Sequence, residues 1–227
     1  MEKPVVTIDG PSGSGKSTVA RMLSERLGYL HLDTGAMYRA VALAAKNRGI
    51  PFDDAPSLDR MCGDIRIELK EDSRGIRVFL DGEDVTDRIR LPEMSMGSSA
   101  VSVVPQVRSH MVRLQRKIGK QGGIVAEGRD MGTVVFPDSK AKFFLDASPE
   151  IRARRRWQEL KDRGGRRDDL STVMEEMAQR DKADSSRGIS PLRKADDAIL
   201  VDTSGKTARE VTDILYKYVV GLETPGA

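Results

Sequence analysis

The sequence contains few residues of the kinds that many redox, metal and nucleic-acid sites require. It has a single cysteine, Cys62, so it cannot form an internal disulfide, and its two histidines, His31 and His110, are too few for a zinc site. Aromatic residues make up only 4% of the chain, which argues against a surface that binds nucleic acid by stacking bases. We therefore expect any bound metal to be Mg²⁺ held by oxygen atoms.

Long apolar runs are also absent near the N-terminus. Residues 1–10 read MEKPVVTIDG, and this pattern favours neither a signal peptide nor a membrane span. We therefore expect a cytoplasmic protein that does not bind membranes. The 227 residues allow one large α/β domain with an insertion or two smaller domains, and the net charge of +3 gives little support for binding a long polyanion.

A glycine-rich loop follows the first apolar run. Residues 5–23 read VVTIDGPSGSGKSTVARML, and residues 10–17 match the phosphate-binding loop, or P-loop, G-x4-G-K-S. The motif lies between a predicted strand over 5–8 and a predicted helix over 18–27, which is the context that it requires. In such a loop the backbone N–H groups and the helix N-terminus attract a polyphosphate, whereas a plain connecting turn would not need this spacing.

The P-loop predicts a site for ATP and Mg²⁺. Lys16 is expected to reach the terminal phosphates, and the hydroxyl of Ser17 is expected to bind the metal ion. The residues predicted to contact ATP are Gly10, Pro11, Ser12, Gly13, Ser14, Gly15, Lys16, Ser17 and Thr18.

Short apolar runs alternate with helical patterns along the chain. They read VVTI, YLHL, GIVAE, KFFLD and AILVD and begin at residues 5, 29, 123, 142 and 198. This alternation predicts an α/β fold with a five-stranded parallel sheet covered by helices. The C-terminal ends of parallel strands lie at one edge of a sheet, where we expect the functional residues.

The pattern changes between residues 63 and 91. IRIEL and IRVFL have apolar residues at every second position and predict a β-hairpin around EDSRG, and DGEDVT predicts another turn. Apolar stripes predict helices over 105–118 and 211–222. The predicted organisation is a core with the P-loop (1–62), a β insertion for substrate binding (63–91, with flanking helices to about 104), core (105–150), an Arg-rich lid (151–167) and core (168–227).

Positive charge is concentrated in the predicted lid. Residues 152–167 contain eight Lys or Arg against two acids, and the pair Gly164 and Gly165 would permit movement. A flap over a triphosphate fits this composition. Nucleic-acid binding is the alternative, and Trp157 as the one aromatic partner in the segment argues against it.

Two segments that follow predicted strands carry candidate residues for a second substrate. In LDTGAMYRA (32–40), Asp33 or Thr34 can cap a helix, and Arg39 is placed to grip a phosphate, with Tyr38 beside it. In EGRDMGTVVFP (127–137), Arg129 is a candidate phosphate clamp and Asp130 a candidate acceptor for a base amino group. An ion pair between Arg129 and Asp130 is the structural alternative.

A third segment, MAQRDKADSSRG (177–188), places charged residues at helical spacing. Arg180, Asp184 and Arg187 are four and three residues apart and would share one helix face if the helix continues that far. They form either a solvated network of ion pairs or a site for a phosphate and a sugar hydroxyl.

Together these segments resemble bacterial cytidylate kinases. The matching stretches are TIDGPSGSGKST, LDTGAMYRA, PQVRSHM, IVAEGRDMGTVVFPD, KFFLDAS and RDKADSSR followed by PL, from residue 7 to about 203. The resemblance implies a nucleoside monophosphate kinase of the P-loop class that transfers the γ-phosphate of ATP to CMP or dCMP. It leaves open another acceptor, such as UMP or a non-nucleotide, and less readily a P-loop NTPase that binds nucleic acid.

The resemblance also implies roles for individual residues, grouped here by the part of the substrate that each would meet. The cytosine would meet Ser99, Arg108 and Asp130; the sugar would meet Thr34, Arg180 and Asp184; the acceptor phosphate would meet Arg39, Arg129 and Arg187, with Tyr38 in the same site. The transferring group would meet Lys16 and Arg152, Arg156 or both. Position 34 is Thr where some relatives have Ser, and Glu127 stands where others carry Asp and could order the water shell of Mg²⁺. We expect a monomer whose partners are small nucleotides.

Overall fold

The structure is a computed structural model, and it describes residues 3–72, 75–162 and 169–223. The strands are β1 (Val5–Asp9), β2 (Leu30–Asp33), β3 (Ile67–Asp72), β4 (Gly75–Leu80), β5 (Glu83–Asp84), β6 (Ile124–Gly128), β7 (Ala141–Asp146) and β8 (Ile199–Asp202). The helices are α1 (Lys16–Leu27), α2 (Thr34–Asn47), α3 (Ala55–Asp64), α4 (Pro92–Ser102), α5 (Pro105–Ile118), α6 (Pro149–Asp162), α7 (Leu170–Ser186) and α8 (Ala208–Glu223).

The larger sheet has five strands in the order β2–β6–β1–β7–β8. Strand β1 pairs in parallel with β6 and β7, and β7 pairs in parallel with β8. Each of the five apolar runs forms one of these strands, so the predicted parallel sheet is confirmed. The register aligns Asp9 with Gly128 and Asp146 with Asp202, which places the C-terminal ends of these strands at one edge.

The chain divides into two compact units, Met1–His31 with Gln121–Ala227 and Leu32–Lys120. In the first unit, apolar side chains of β1, β6, β7 and β8 pack against α1 and α8, and Ile8, Leu23 and Leu215 are completely buried. This core fixes the position of the loop between β1 and α1. The domain boundaries inferred from the sequence stay a prediction.

The second unit contains α2 to α5 and the small sheet β3–β4–β5. Strand β3 pairs antiparallel with β4, so the predicted hairpin is confirmed. Residues 81–86, predicted to be a turn only, also contain the short strand β5, which pairs with Phe79 and Leu80 of β4. The positive φ angles of Asp81 (52°) and Gly82 (86°) reverse the chain tightly enough for this extra pairing.

Helices α6 and α7 pack together in the first unit through Ala153, Val173 and Met177. Helix α6 ends at Asp162, and the predicted lid residues Arg163, Gly164, Gly165, Arg166 and Arg167 lie outside the described residues. Among the described helices, none combines the length and the apolar character needed to cross a bilayer.

Candidate functional site

The P-loop leaves the central strand β1 and enters α1 with backbone angles that favour glycine. Gly10 has φ = 147°, and a Cβ atom there would lie 2.0 Å from the carbonyl oxygen of Leu145. Gly13 has φ = 74°, and its Cβ would lie 2.7 Å from the carbonyl oxygen of Arg152. The sequence therefore needs glycine at both positions, because any side chain would collide with the backbone.

Lys16 is the first residue of α1, and its side chain is buried at the base of the P-loop. Its Nζ donates to the carbonyl oxygen of Pro11 at 2.6 Å and to Oγ of Ser14 at 3.3 Å. Burial, followed by the positive charge of Arg129, lowers the pKa of Lys16 to about 7. An anionic ligand at the loop would offset both effects and favour the charged lysine.

Ser17 and Glu127 bring two oxygen-bearing side chains together beside the loop. The exposed Ser17 donates from Oγ to Oε2 of Glu127 at 2.8 Å, and Glu127 is buried near the end of β6. Hard oxygen ligands of this kind suit Mg²⁺. In the part of the chain that the structure describes, no group of three or more His, Cys, Asp or Glu could hold a metal. A metal ion at this place would therefore take further ligands from nucleotide phosphates and water, as Mg²⁺ usually does.

Asp9, which the sequence analysis did not identify, fixes the turn that follows Asp130. Its carboxylate accepts hydrogen bonds from the backbone N–H groups of Met131 at 2.9 Å and Gly132 at 2.8 Å. Burial raises the pKa of Asp9 to about 6, although these two bonds oppose the rise. The same turn is π-helical over Met131–Val135, a rare conformation that is often found at functional sites.

Arg129, Arg180 and Arg187 surround a single buried carboxylate, and we call these three residues with Asp184 the Asp184 cluster. Nε of Arg129 donates to Oδ2 of Asp184 at 2.8 Å, and Nη1 of Arg187 lies 3.9 Å from Oδ1. Burial opposes ionisation of Asp184, but the charge and hydrogen bond of Arg129 and the charges of Arg180 and Arg187 outweigh it and lower the pKa. Three guanidinium groups thus lie close enough to one carboxylate to affect its ionisation.

The prediction that Arg180, Asp184 and Arg187 share one helix face is confirmed only in part. Helix α7 ends at Ser186, and Arg187 takes extended angles (φ −64°, ψ 139°), so it does not lie on the helix face with Arg180 and Asp184. The chain turns there, and Nε of Arg187 donates to the carbonyl oxygen of Ser190. An ion pair between the neighbouring residues Arg129 and Asp130 was the structural alternative in the sequence. In the structure, Arg129 pairs with Asp184.

Arg152 on α6 connects several parts of the first unit. Its Nε donates to the carbonyl oxygen of Ala147 at 3.0 Å, and its Nη1 donates to the carbonyl oxygen of Ser12 at 3.2 Å. The same Nη1 donates to Oδ2 of Asp181 at 2.5 Å. Arg152 therefore joins the P-loop, the end of β7 and helix α7.

Arg155 and Arg156 follow on α6, and with Arg152 we call them the α6 arginines. Arg155 donates to Oγ1 and the carbonyl oxygen of Thr203, at 2.9 and 2.6 Å. Thr203 in turn donates from Oγ1 to the carbonyl oxygen of Ser14 in the P-loop at 3.1 Å. Arg156 pairs with Glu159 one turn along the helix at 2.9 Å. Each of the three guanidinium groups thus has acceptors of its own within the protein.

In the second unit, the start of α2 carries several of the predicted residues. Asp33 accepts from the backbone N–H of Ala36 at 2.8 Å, so it is the helix cap, while Thr34 is the buried first residue of α2. Nη2 of Arg39 donates to Oδ2 of Asp33 at 3.3 Å. The prediction that Asp33 or Thr34 caps the helix is confirmed for Asp33.

Other predicted residues of this unit lie on α2, α4 and α5. The guanidinium carbon of Arg108 lies 5.7 Å from the ring centroid of Tyr38, and both residues are buried. Arg108 also donates from Nη1 to the carbonyl oxygen of Ser102 at 3.3 Å, and Ser99 is half-buried on the same helix as Ser102. The structure thus brings Arg108 and Tyr38 together, as expected for residues of one site.

Comparison with known proteins identifies the family. The family model for cytidylate kinase matches residues 6–220. A cytidylate kinase of Geobacter sulfurreducens is 49% identical over 98% of this chain and 96% of its own length, and one of Pelotomaculum thermopropionicum is 50% identical over 93% and 94%. The crystal structure of an uncharacterized protein from Eubacterium ventriosum shares the fold, with a TM-score of 0.54 at 14% identity over 96% of this chain and 99% of that one. The resemblance read from the sequence is confirmed, and the chain belongs to the cytidylate kinase family.

Proposed function

We propose that this protein transfers the γ-phosphate of ATP to CMP or dCMP and releases ADP and CDP or dCDP. Family membership over residues 6–220 supports this reaction. The structural observation that carries it is the pairing, within one unit, of a P-loop with a cluster of three arginines around one carboxylate. A phosphotransferase between two nucleotides needs a site for each of two anionic substrates.

The donor is proposed to bind along residues 10–18. The backbone N–H groups of the loop and the N-terminus of α1 attract the phosphates, and Lys16 exchanges its bond to Pro11 for a phosphate oxygen. Mg²⁺ would be held by Ser17 and by phosphate oxygens, with Glu127 ordering its water shell, and it would neutralise charge on the phosphates.

Each unit carries its own proposed acceptor residues. In the first unit, Arg129 and Arg187 bind the acceptor phosphate, Arg180 and Asp184 bind the sugar, and Asp130 meets the cytosine. In the second unit, Arg39 binds the phosphate, Thr34 the sugar, and Ser99 and Arg108 the cytosine, with Tyr38 close to Arg108. The three guanidinium groups close to Asp184 support this assignment, because a phosphate can accept hydrogen bonds from several arginines at once.

Phosphoryl transfer here needs no general base. A phosphate monoester has a second pKa of about 6, so the acceptor is already largely dianionic at neutral pH. Catalysis then depends on aligning the acceptor oxygen with the γ-phosphorus and on neutralising the charge of the transferring group. Lys16 supplies part of that charge, and Arg152, Arg156 or both are proposed to supply the rest by exchanging their bonds to Asp181 and Glu159.

Cytosine is distinguished from uracil by its amino group. The buried carboxylate of Asp130 would accept a hydrogen bond from that amino group, and it would face a carbonyl oxygen if uracil were bound. Leaving a buried carboxylate unpaired is costly, so CMP is favoured over UMP. We further propose that the enzyme acts as a monomer in the cytoplasm, which size-exclusion chromatography and cell fractionation would test.

A panel of acceptors tests the reaction. Purified protein with ATP and Mg²⁺ is given CMP, dCMP, UMP, AMP or shikimate, and ADP release is followed continuously. We expect CMP and dCMP to be used far better than the others. Faster turnover of UMP or of a non-nucleotide would overturn the proposed acceptor, and ATP hydrolysis that depends on single-stranded RNA would point to a nucleic-acid motor.

The variant Asp130→Asn tests the base assignment. We expect it to reduce CMP turnover by about 100-fold while ATP binding stays as in the wild type, because an amide presents both a donor and an acceptor. Full retention of the preference for CMP over UMP would show that Asp130 does not read the base.

A further inference from the structure

A buried histidine lies directly behind the carboxylate that holds Ser17. Nε2 of His31, on β2, is 3.2 Å from Oε1 of Glu127, on β6. The other carboxylate oxygen, Oε2, accepts the hydroxyl proton of Ser17 at 2.8 Å. Only 6% of His31 and 4% of Glu127 are exposed, whereas Ser17 is exposed at the start of α1. The three side chains thus connect the edge strand β2, through β6, to the P-loop.

The two carboxylate oxygens of Glu127 have different partners, His31 at Oε1 and Ser17 at Oε2. A buried carboxylate is costly unless both of its oxygens have partners, and Glu127 follows Val125 and Ala126, which are completely buried. A proton on Nε2 of His31 satisfies Oε1 and holds the carboxylate in one rotation. In that rotation Oε2 is presented to Ser17.

The direction of the Ser17 proton decides what this hydroxyl can bind. Its proton is donated to Glu127, so the oxygen lone pairs of Ser17 are left for a cation or for water. Glu127 would orient this metal ligand without touching the metal. Removing a residue of this kind commonly lowers metal affinity or activity by about 10- to 100-fold.

We propose that His31 is a positioning residue for phosphoryl transfer: by holding Oε1 of Glu127, it aims Oε2 at Ser17 and keeps the Ser17 hydroxyl ready to bind Mg²⁺. This role presupposes the phosphotransfer reaction proposed above. It also gives a reason for a buried histidine on the edge strand β2, where an apolar side chain would remove one hydrogen-bond partner of the buried Glu127.

Substitutions of His31 separate a positioning role from simple packing. His31→Leu removes the donor, and His31→Gln keeps an N–H group at nearly the same distance along the side chain. His110→Leu is the matched control, because His110 lies 2.9 Å from another carboxylate, that of Asp59, between α5 and α3. His110 has no assigned part in the reaction.

The main readout is metal binding to the complex of the enzyme with ADP, measured with Mn²⁺ by electron paramagnetic resonance. We expect His31→Leu to weaken Mn²⁺ binding by about tenfold and to lower kcat by about 10- to 100-fold, with the dissociation constant for CMP unchanged. His31→Gln should recover most of both losses, and His110→Leu should behave as the wild type. In an enzyme that already carries Glu127→Gln, His31→Leu should cause no further loss, because His31 acts through Glu127.

The opposite results would refute this role. A folded His31→Leu variant with wild-type Mn²⁺ affinity and kcat would do so, and so would equal losses in the Leu and Gln variants. If His31→Leu does not fold, the shorter polar side chain of His31→Asn replaces it, and wild-type Mn²⁺ affinity in that variant would refute the role equally. Mn²⁺ binding to the ADP complex needs no acceptor, so failure of the acceptor panel would be recognised separately.

Discussion

The two sets of arginines in the first unit differ in the groups that surround them. In the Asp184 cluster, three guanidinium groups share one carboxylate, whose pKa they lower against the effect of burial. Among the α6 arginines, each guanidinium has protein acceptors of its own: Arg152 bonds to Ser12, Ala147 and Asp181, Arg155 to Thr203, and Arg156 to Glu159.

The Asp184 cluster is proposed to bind substrate, whereas the α6 arginines join parts of the fold. An anionic substrate would add negative charge beside the three guanidinium groups of the cluster. Arginines with internal acceptors contribute to stability, and they can reach a substrate only by giving up a bond. Substitutions in the first set should therefore change kinetics, and most substitutions in the second set should first change stability.

The largest expected effect is that of Arg129→Ala. Loss of one well-placed arginine in phosphoryl transfer costs about 10³-fold in kcat, which corresponds to about 4 kcal/mol. Steady-state kinetics with CMP and ATP measure this loss, while calorimetry should show unchanged ADP binding at the P-loop. Arg209→Ala, an exposed substitution on α8, is the control. A loss of less than about tenfold would mean that the cluster does not contact the acceptor.

Arg152→Met should mainly destabilise the protein. The side chains of Arg152 and Asp181 are 10% and 20% exposed, and removing one partner of a buried ion pair costs about 4 kcal/mol. Urea unfolding measures the change, with exposed Arg154→Met on the same helix as the control. If Arg152→Met had wild-type stability but a large loss of kcat, Arg152 would act mainly in catalysis and not in stabilising the fold.

The buried carboxyl groups of Asp9 and Asp184 have pKa values that are shifted in opposite directions. Burial raises the pKa of Asp9 to about 6, whereas the neighbouring arginines lower the pKa of Asp184. Because this pKa is raised, the folded protein between pH 3.8 and about 6 holds a proton on Asp9 that the unfolded chain has lost. The contribution of Asp9 to the free energy of unfolding is therefore complete below pH 3.8 and disappears as the pH rises to about 6.

The free energy of unfolding should accordingly fall by on the order of 3 kcal/mol between those pH values because of Asp9 alone. Comparing urea unfolding of the wild type and of Asp9→Asn at several pH values isolates this contribution, since the amide does not titrate. Parallel pH profiles for the two proteins would show that folding does not raise the pKa of Asp9.

The smallest expected change in stability is that of Arg156→Met. Its partner Glu159 lies three residues along the helix, and both side chains are partly exposed, so loss of the pair should cost less than about 0.5 kcal/mol. Because stability is preserved, kcat of this variant reports directly on its proposed contact with the transferring group. Destabilisation by several times that amount would show that Arg156 belongs with Arg152.

Local patterns in the sequence were sufficient for much of the fold. The five strands, the P-loop and the helix over 105–118 follow from periodicity and from spacings of a few residues. The boundary near Arg187 was harder, because the helix spacing continues in the sequence while the backbone turns to an extended form after Ser186.

Contacts between distant parts of the chain could not be read in this way. Asp9 accepts hydrogen bonds from the backbone of Met131 and Gly132, which lie more than 120 residues away in the sequence. No pattern near Asp9 predicts these partners. The charge balance of each arginine likewise depends on acceptors such as Thr203 and Asp184, which only the folded chain brings into place. Sequence patterns identified the arginines, and the folded structure separated them into two sets.

The affinities of CMP and cytidine, measured by calorimetry for the wild type and for Arg129→Ala, test most directly whether the Asp184 cluster binds the acceptor phosphate. The two ligands differ only in the phosphate. We expect the wild type to prefer CMP and the variant to lose about tenfold or more of that preference, with little change for cytidine. An equal preference for CMP in both proteins would contradict the account, because the Asp184 cluster would then have no part in binding the phosphate.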